Sequence, residues 1–156
     1  MTSVEHATFV IECDLPGRPR HAFRFWSEID LKKRWNDCHA DWTVLEDTFD
    51  FRVGGVEAKG WRTTEGNELV FRAHYFDIVP DRRIIYACEM SFKSQRLSAS
   101  LATVQFVRVG TQTRMIFTEQ AAFLGDGNAR RERVIGTEAG FDRLVAAMAT
   151  NTGAMH

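Results

Sequence analysis

The sequence predicts an α+β fold in which a seven-stranded antiparallel sheet packs on one long C-terminal helix, with two short helices after the first strand. Three observations predict it. Residues 42–122 lack helical period and are cut by turn signals into short alternating runs, the mark of an antiparallel meander. From residue 132 the apolar spacing switches to three or four, which is helical. A sheet with one apolar face and a single long amphipathic helix must bury each against the other, which gives two layers.

Taken in order, residues 8–14 place Phe9, Ile11 and Cys13 on one strand face. Pro16, Gly17 and Pro19 break that strand, and Pro19 suits a helix's first turn, where no N–H partner is needed. Ala22, Phe23, Trp26 and Ile29 form one stripe, so a helix runs from residue 19 to about 28. Asp30 is then read as the cap of a second short helix over residues 31–35. Leu45, Phe49, Phe51 and Val53 alternate up to Gly54-Gly55, and Val56 to Arg62 forms the next run. Thr64-Glu65-Gly66-Asn67 reads as a hairpin turn with Gly and Asn available for positive φ. Leu69, Phe71, Ala73 and Tyr75 share a face before Val79-Pro80-Asp81-Arg82, where Pro80 suits the second position of a type I turn. Ile84, Tyr86, Cys88, Met90 and Phe92 alternate, 93–96 is read as a turn, and strands follow at 97–109 and 112–122. Val134, Thr137, Phe141, Leu144 and Met148 then define a helix from 132 to about 149.

The whole chain, 1–156, reads as one domain, since 156 residues bury enough surface for a core without disulfides or metal. Lys plus Arg number 20 against 21 Asp plus Glu, and no basic stripe occurs, which argues against nucleic acid. No run approaches the roughly 20 apolar residues of a membrane span, and the first fifteen residues hold no signal-peptide core. Cys13, Cys38 and Cys88, odd in number and widely spaced, read as reduced thiols in a cytoplasmic protein. Asp37-Cys38-His39 sets three ligand types in a row, but neighbours on a loop rarely converge on one ion, so neither metal nor cofactor is expected.

The order of elements resembles the helix-grip or START-like superfamily, also called SRPBCC, in which a curved sheet wraps a C-terminal helix around a cavity. Asp50-Phe51-Arg52-Val53-Gly54-Gly55, Tyr75 through Pro80 with Arg83-Ile84-Ile85-Tyr86, and Thr118-Glu119-Gln120-Ala121-Ala122-Phe123 are similar to motifs of homologues of the activator of heat-shock protein 90 ATPase. So are residues 100–106 and 110–114. The resemblance runs from Phe9 to Met148 and implies small-molecule binding, a stress-related role or contact with a chaperone.

It also implies that inward faces line a cavity. The alternation offers Phe71, Tyr75, Tyr86, Met90, Phe92, Met115 and Phe117, with Phe141 and Met148 from the helix, facing small residues at Ser98, Ser100 and Ala102. Glu119 shares parity with Phe117; it either points inward to a donor such as Tyr75, Tyr86 or a ligand, or lies at the sheet end in water. Glu57, Lys59 and Trp61 share one face, and their charges favour solvent whereas the resemblance puts them inside. Trp26, Trp35 and Trp42 cluster at the short helices, where aromatic side chains can close a mouth. Gly136 and Gly140 form a shallow strip, explained by close approach of sheet or ligand.

The candidate ligand-binding set is therefore Trp35, Trp42, Phe51, Trp61, Phe71, Tyr75, Tyr86, Met90, Phe117, Glu119 and Phe141, with no catalytic residue assigned. A small apolar or amphipathic ligand is the first reading, for a monomer or homodimer. The alternatives are a co-chaperone-like interaction module and a cavity enzyme, hydrolase or cyclase, working through Glu119.

Overall fold

The protein is described here by a computed structural model covering residues 3–125 and 127–150. Residues 1–2, 126 and 151–156, which the one-domain reading takes in, lie outside the described residues. The elements run β1 (Ser3–Leu15), α1 (Pro19–Ser27), α2 (Ile29–Lys32), β2 (Thr43–Phe49), β3 (Val56–Arg62), β4 (Glu68–Val79), β5 (Arg83–Phe92), β6 (Gln95–Val109), β7 (Gln112–Gly125) and α3 (Ala129–Thr150). All seven strands form one antiparallel sheet in the order β1-β7-β6-β5-β4-β3-β2. It is the helix-grip arrangement that the order of elements implies.

Several local differences have physical causes. β2 ends at Phe49 and does not continue to Val53, because residues 50–55 fold into turns closed by Arg52 N–H to the Asp50 carbonyl and Gly55 N–H to the Arg52 carbonyl. Gly54 sits at φ +85°, and a Cβ on Gly55 would lie 2.1 Å from the Asp50 carbonyl oxygen, so both glycines are required there. The turn then bonds back to β4, with Gly54 N–H donating to the Tyr75 carbonyl and Tyr75 N–H to the Gly55 carbonyl. At 79–82 the left-handed φ of +67° at Asp81 makes the turn type II, not type I. Lys93 and Ser94 both have positive φ, a type I′ hairpin that lets β6 start at Gln95 without the usual Asn-Gly. Asp30 is no cap: α2 starts at Ile29, and its N-cap Glu28 also terminates α1.

Cross-strand register fixes which side chains meet. One row across the concave face reads Phe123, Ser98, Met90, Phe71, Lys59, Asp47. The next reads Ala121, Ser100, Cys88, Ala73, Glu57, Phe49, small at its centre. The interior is packed unevenly along the helix. Leu15, Phe25, Ile84, Met115, Leu144 and Met148 are fully buried and fill the end covered by α1 and the second half of α3. Each contributes roughly 1.5–3 kcal/mol. In α3 the buried residues are Gly140, Phe141, Leu144 and Met148, all in that second half. The first half carries Ala129, Glu132, Arg133, Gly136 and Thr137 on the face toward the sheet, and there the layers separate.

Candidate functional site: a cavity between sheet and helix

The separation leaves a cavity of about 1000 Å³ lined by β3–β7, the first half of α3, the short helices and the segment up to Trp42. Its apolar wall is mostly aromatic. Trp26, Trp35 and Phe141 pack mutually, with centroids 4.9–6.3 Å apart, and Phe117 meets Phe141 edge-on at 5.2 Å. The Trp35 indole N–H donates to the Phe25 carbonyl at 2.8 Å, which fixes the link between α1 and α2. Trp42 leaves the expected three-tryptophan cluster and pairs with Trp61 at 6.4 Å. All four tryptophans line the cavity.

Of the residues named from sequence, Trp35, Trp42, Trp61, Phe71, Tyr86, Met90, Phe117, Glu119 and Phe141 line this space. Phe51 and Tyr75 lie behind its wall. The glycine turn folds Phe51 onto Tyr75, with centroids 4.9 Å apart, and onto Phe23 and Phe49. Met115 and Met148, read as inward, are inward but sealed in the core, and Phe92, at the end of β5, is not part of the lining.

Two polar clusters are set into the wall. In the first, Glu57 and Lys59 are 1% and 2% exposed, which overturns the solvent reading of this strand face. Register explains it: Glu57 and Lys59 pair with Ala73 and Phe71, on the face that the helix covers. Lys32 Nζ donates to Glu57 Oε1 at 2.5 Å, and the Tyr75 hydroxyl donates to the same oxygen at 2.6 Å. The ammonium also lies 5.0 Å from the Phe49 ring centre and 5.9 Å from that of Trp26. Burial pulls the Lys32 pKa below that of an ordinary lysine, although Glu57 opposes it, and burial beside Glu57 holds the Tyr75 phenol protonated. Glu57 Oε2 and the Trp26 indole N–H are buried without a partner among the described residues.

In the second cluster Glu119 is inside, 3% exposed. Its donors are neither of the expected tyrosines but Arg133, through Nη1, and Ser100, through its hydroxyl at 2.6 Å. Arg133 Nη2 donates to Ser98, and the guanidinium lies 5.6 Å from the Phe123 ring centre. Cys88 sits 3.1 Å from the Ser100 hydroxyl, and burial pushes its thiol up to about 11, so it is an inert thiol. Burial raises the Tyr86 phenol well above its usual range, and its hydroxyl has no hydrogen-bond partner among the described residues.

Sequence reasoning missed Lys32 and Arg133. The signal was positional: Lys32, at the end of α2, is three residues before Trp35, and Arg133 is three before Gly136 on α3. Asp37, Cys38 and His39 do not converge; Asp37 accepts from the Cys38 N–H and His39 Nδ1 from the Asp41 N–H. The sheet does not closely approach Gly136 or Gly140. A Cβ on Gly136 would meet nothing within 4 Å, and one on Gly140 only the Arg143 guanidinium at 3.6 Å.

The family model described as Activator of Hsp90 ATPase homolog 1-like protein matches residues 17–151. The chain belongs to this family. Among solved structures, this Activator of Hsp90 ATPase homolog 1-like chain is similar to an uncharacterized protein from Rhizobium leguminosarum, at 43% identity and a TM-score of 0.89, covering 96% of this chain and 99% of that one. It is also similar to the Mll3558 protein from Rhizobium loti, at 36% identity and a TM-score of 0.86, covering 93% and 99% of the two chains. The SA2116 protein of unknown function from Staphylococcus aureus, 22% identical with a TM-score of 0.74 over 96% and 98% of the two chains, shares the fold. A comparison with curated proteins finds no match. Family membership supports ligand binding or co-chaperone-like interaction in general terms. Among the described residues no helix is long and apolar enough to cross a membrane.

Proposed function

We propose that the protein binds a small amphipathic molecule in the cavity between the sheet and the first half of α3. The observation that carries this reading is the cavity left between the sheet and α3, which Gly136 lines with no atom within 4 Å of a Cβ placed on it. A volume of about 1000 Å³ is at the upper end of roughly 300–1000 Å³ for small-molecule sites, and the lining sets charged and polar groups beside an aromatic wall, which suits an amphipathic guest. Burial of apolar ligand area against Trp26, Trp35, Phe117 and Phe141 would drive binding, and the unpartnered Tyr86 hydroxyl offers a polar contact. Trp42 and Trp61 stand where a guest would cover them.

Glu119 fits an orienting role better than a general base, because Arg133 and Ser100 already occupy one of its oxygens. A docking face of the co-chaperone kind has less support. The exposed Val10, Leu101 and Val107 of the outer sheet face alternate with polar residues such as Thr8, Thr103 and Gln105. Native mass spectrometry of freshly purified protein, with titration of tryptophan fluorescence by a neutral amphiphile such as dodecan-1-ol, tests the proposal. A retained small molecule or saturable quenching is expected. Neither retention nor a saturable response would overturn it.

A further inference from the structure

Lys59 is almost wholly buried, faces the cavity, and is poorly neutralised. Among the described residues its ammonium has one carboxylate near it, Asp47 Oδ1 at 3.7 Å, beyond hydrogen-bond reach, and that carboxylate is held by Lys33 at 2.8 Å through its other oxygen. Lys32, the next buried cation, is matched by Glu57. At this end the half-buried Asp47 carboxylate is thus shared between Lys33 and Lys59. At the other end Arg133 is matched by Glu119 and donates its second arm to Ser98. Arg96 and Arg143 are exposed; Arg96 lies 3.6 Å from Glu89, and Arg143 donates to the Trp35 carbonyl. Asp37 lines the same region but is exposed, where water screens it.

An ammonium taken out of bulk water needs acceptors in its place, and among the described residues this one, with three N–H donors, makes no hydrogen bond. We infer that the cavity takes an anionic amphiphile whose carboxylate is bound by Lys59, its apolar chain lying along the aromatic wall. The inference rests on the cavity-binding reading and adds to it the charge and the orientation of the guest. A carboxylate supplies acceptors and a counter-charge that Lys59 need not share. Lys59 lies in register with Phe71 and Met90, so a chain leaving the head group passes over apolar side chains of β4 and β5.

The test compares dodecanoate with dodecan-1-ol, equal in chain length and different in head group, by tryptophan fluorescence titration of the full chain. Dodecanoate should bind about ten- to a hundredfold more tightly, the span expected for a charge-assisted hydrogen bond. In Lys59→Met that preference should vanish while the affinity for the alcohol stays within about twofold; in Lys59→Arg and in Arg133→Met it should persist. Lys59→Gln is read in the same way should the Met variant fail to fold, and the wild-type comparison depends on neither. Equal affinity for the two probes, or a preference that survives in folded Lys59→Met or Lys59→Gln, overturns the anion site and leaves the cavity reading standing. Failure of both probes to bind overturns the two together.

Discussion

Lys32 and Glu57 carry opposite charges into the cavity wall beside Trp26 and Phe49, and the pair matters most when one member is removed. Lys32→Met leaves Glu57 buried with Tyr75 as its hydrogen-bond donor, at a cost of about 3–5 kcal/mol. Lys32→Met combined with Glu57→Gln should cost clearly less, because the amide still accepts from Tyr75 and no buried charge remains. Urea unfolding of the two variants checks this; a double variant as unstable as the single one contradicts it. His21 makes a second prediction. It is buried against Phe25, neither ring nitrogen has a hydrogen-bond partner among the described residues, and burial lowers its pKa, an effect that the nearby Met148 carbonyl offsets only in part. The unfolded chain therefore takes up a proton near its ordinary pKa of 6.5 that the folded chain refuses. Stability contributed by His21 is full above that pH and falls as pH drops below it, by at most about 1.4 kcal/mol per pH unit. Unfolding curves at about pH 7 and about pH 5 should show a smaller acid-induced loss in His21→Phe than in wild type. Equal losses would exclude His21 as a source.

Among the elements, α3 divides into two halves with different work. Phe141, Leu144 and Met148 anchor it to the core, while Gly136 leaves room over the cavity. Gly136→Leu should therefore separate stability from binding: helix propensity rises by up to about 1 kcal/mol, and the new side chain enters open space. Thermal unfolding should be unchanged or raised while dodecan-1-ol quenching is lost. Unaltered quenching would place the guest elsewhere. Much of this architecture was legible, because alternation over Ile84 to Met90 and helical spacing over Phe141 to Met148 are local patterns that burial enforces. Turn geometry was less so. The strand expected to run through Val53 stops at Phe49, because Phe51 reaches the core from a glycine turn, which alternation cannot distinguish from a pleat. The positive φ at Lys93 and Ser94 left no glycine in the sequence to announce it.

At the scale of the whole molecule, a ligand that binds only the folded chain must stabilise it by mass action. A saturating amphiphile at about a hundred times its Kd should add roughly 2.7 kcal/mol, with a Tm that rises as its concentration rises. Calorimetry with increasing probe measures this, and a Tm independent of concentration would deny binding to the native state. Nine of the eleven residues named for the site do line the cavity, since strand parity and helix phase are properties of the chain itself. The charges were not readable in that way. Lys32, Glu57, Lys59 and Arg133 look like solvated residues one at a time, and their burial depends on β3 pairing with β4 under the short helices and on α3 crossing β6 and β7. The sequence by itself determined the order of elements, the inward faces and the aromatic character of the interior, because those follow from periodicity and the hydrophobic effect. Only the tertiary structure decided that half of the helix stands away from the sheet and that Lys59 is buried beside a carboxylate held by another lysine. Distance and charge balance arise between segments that are far apart in the chain.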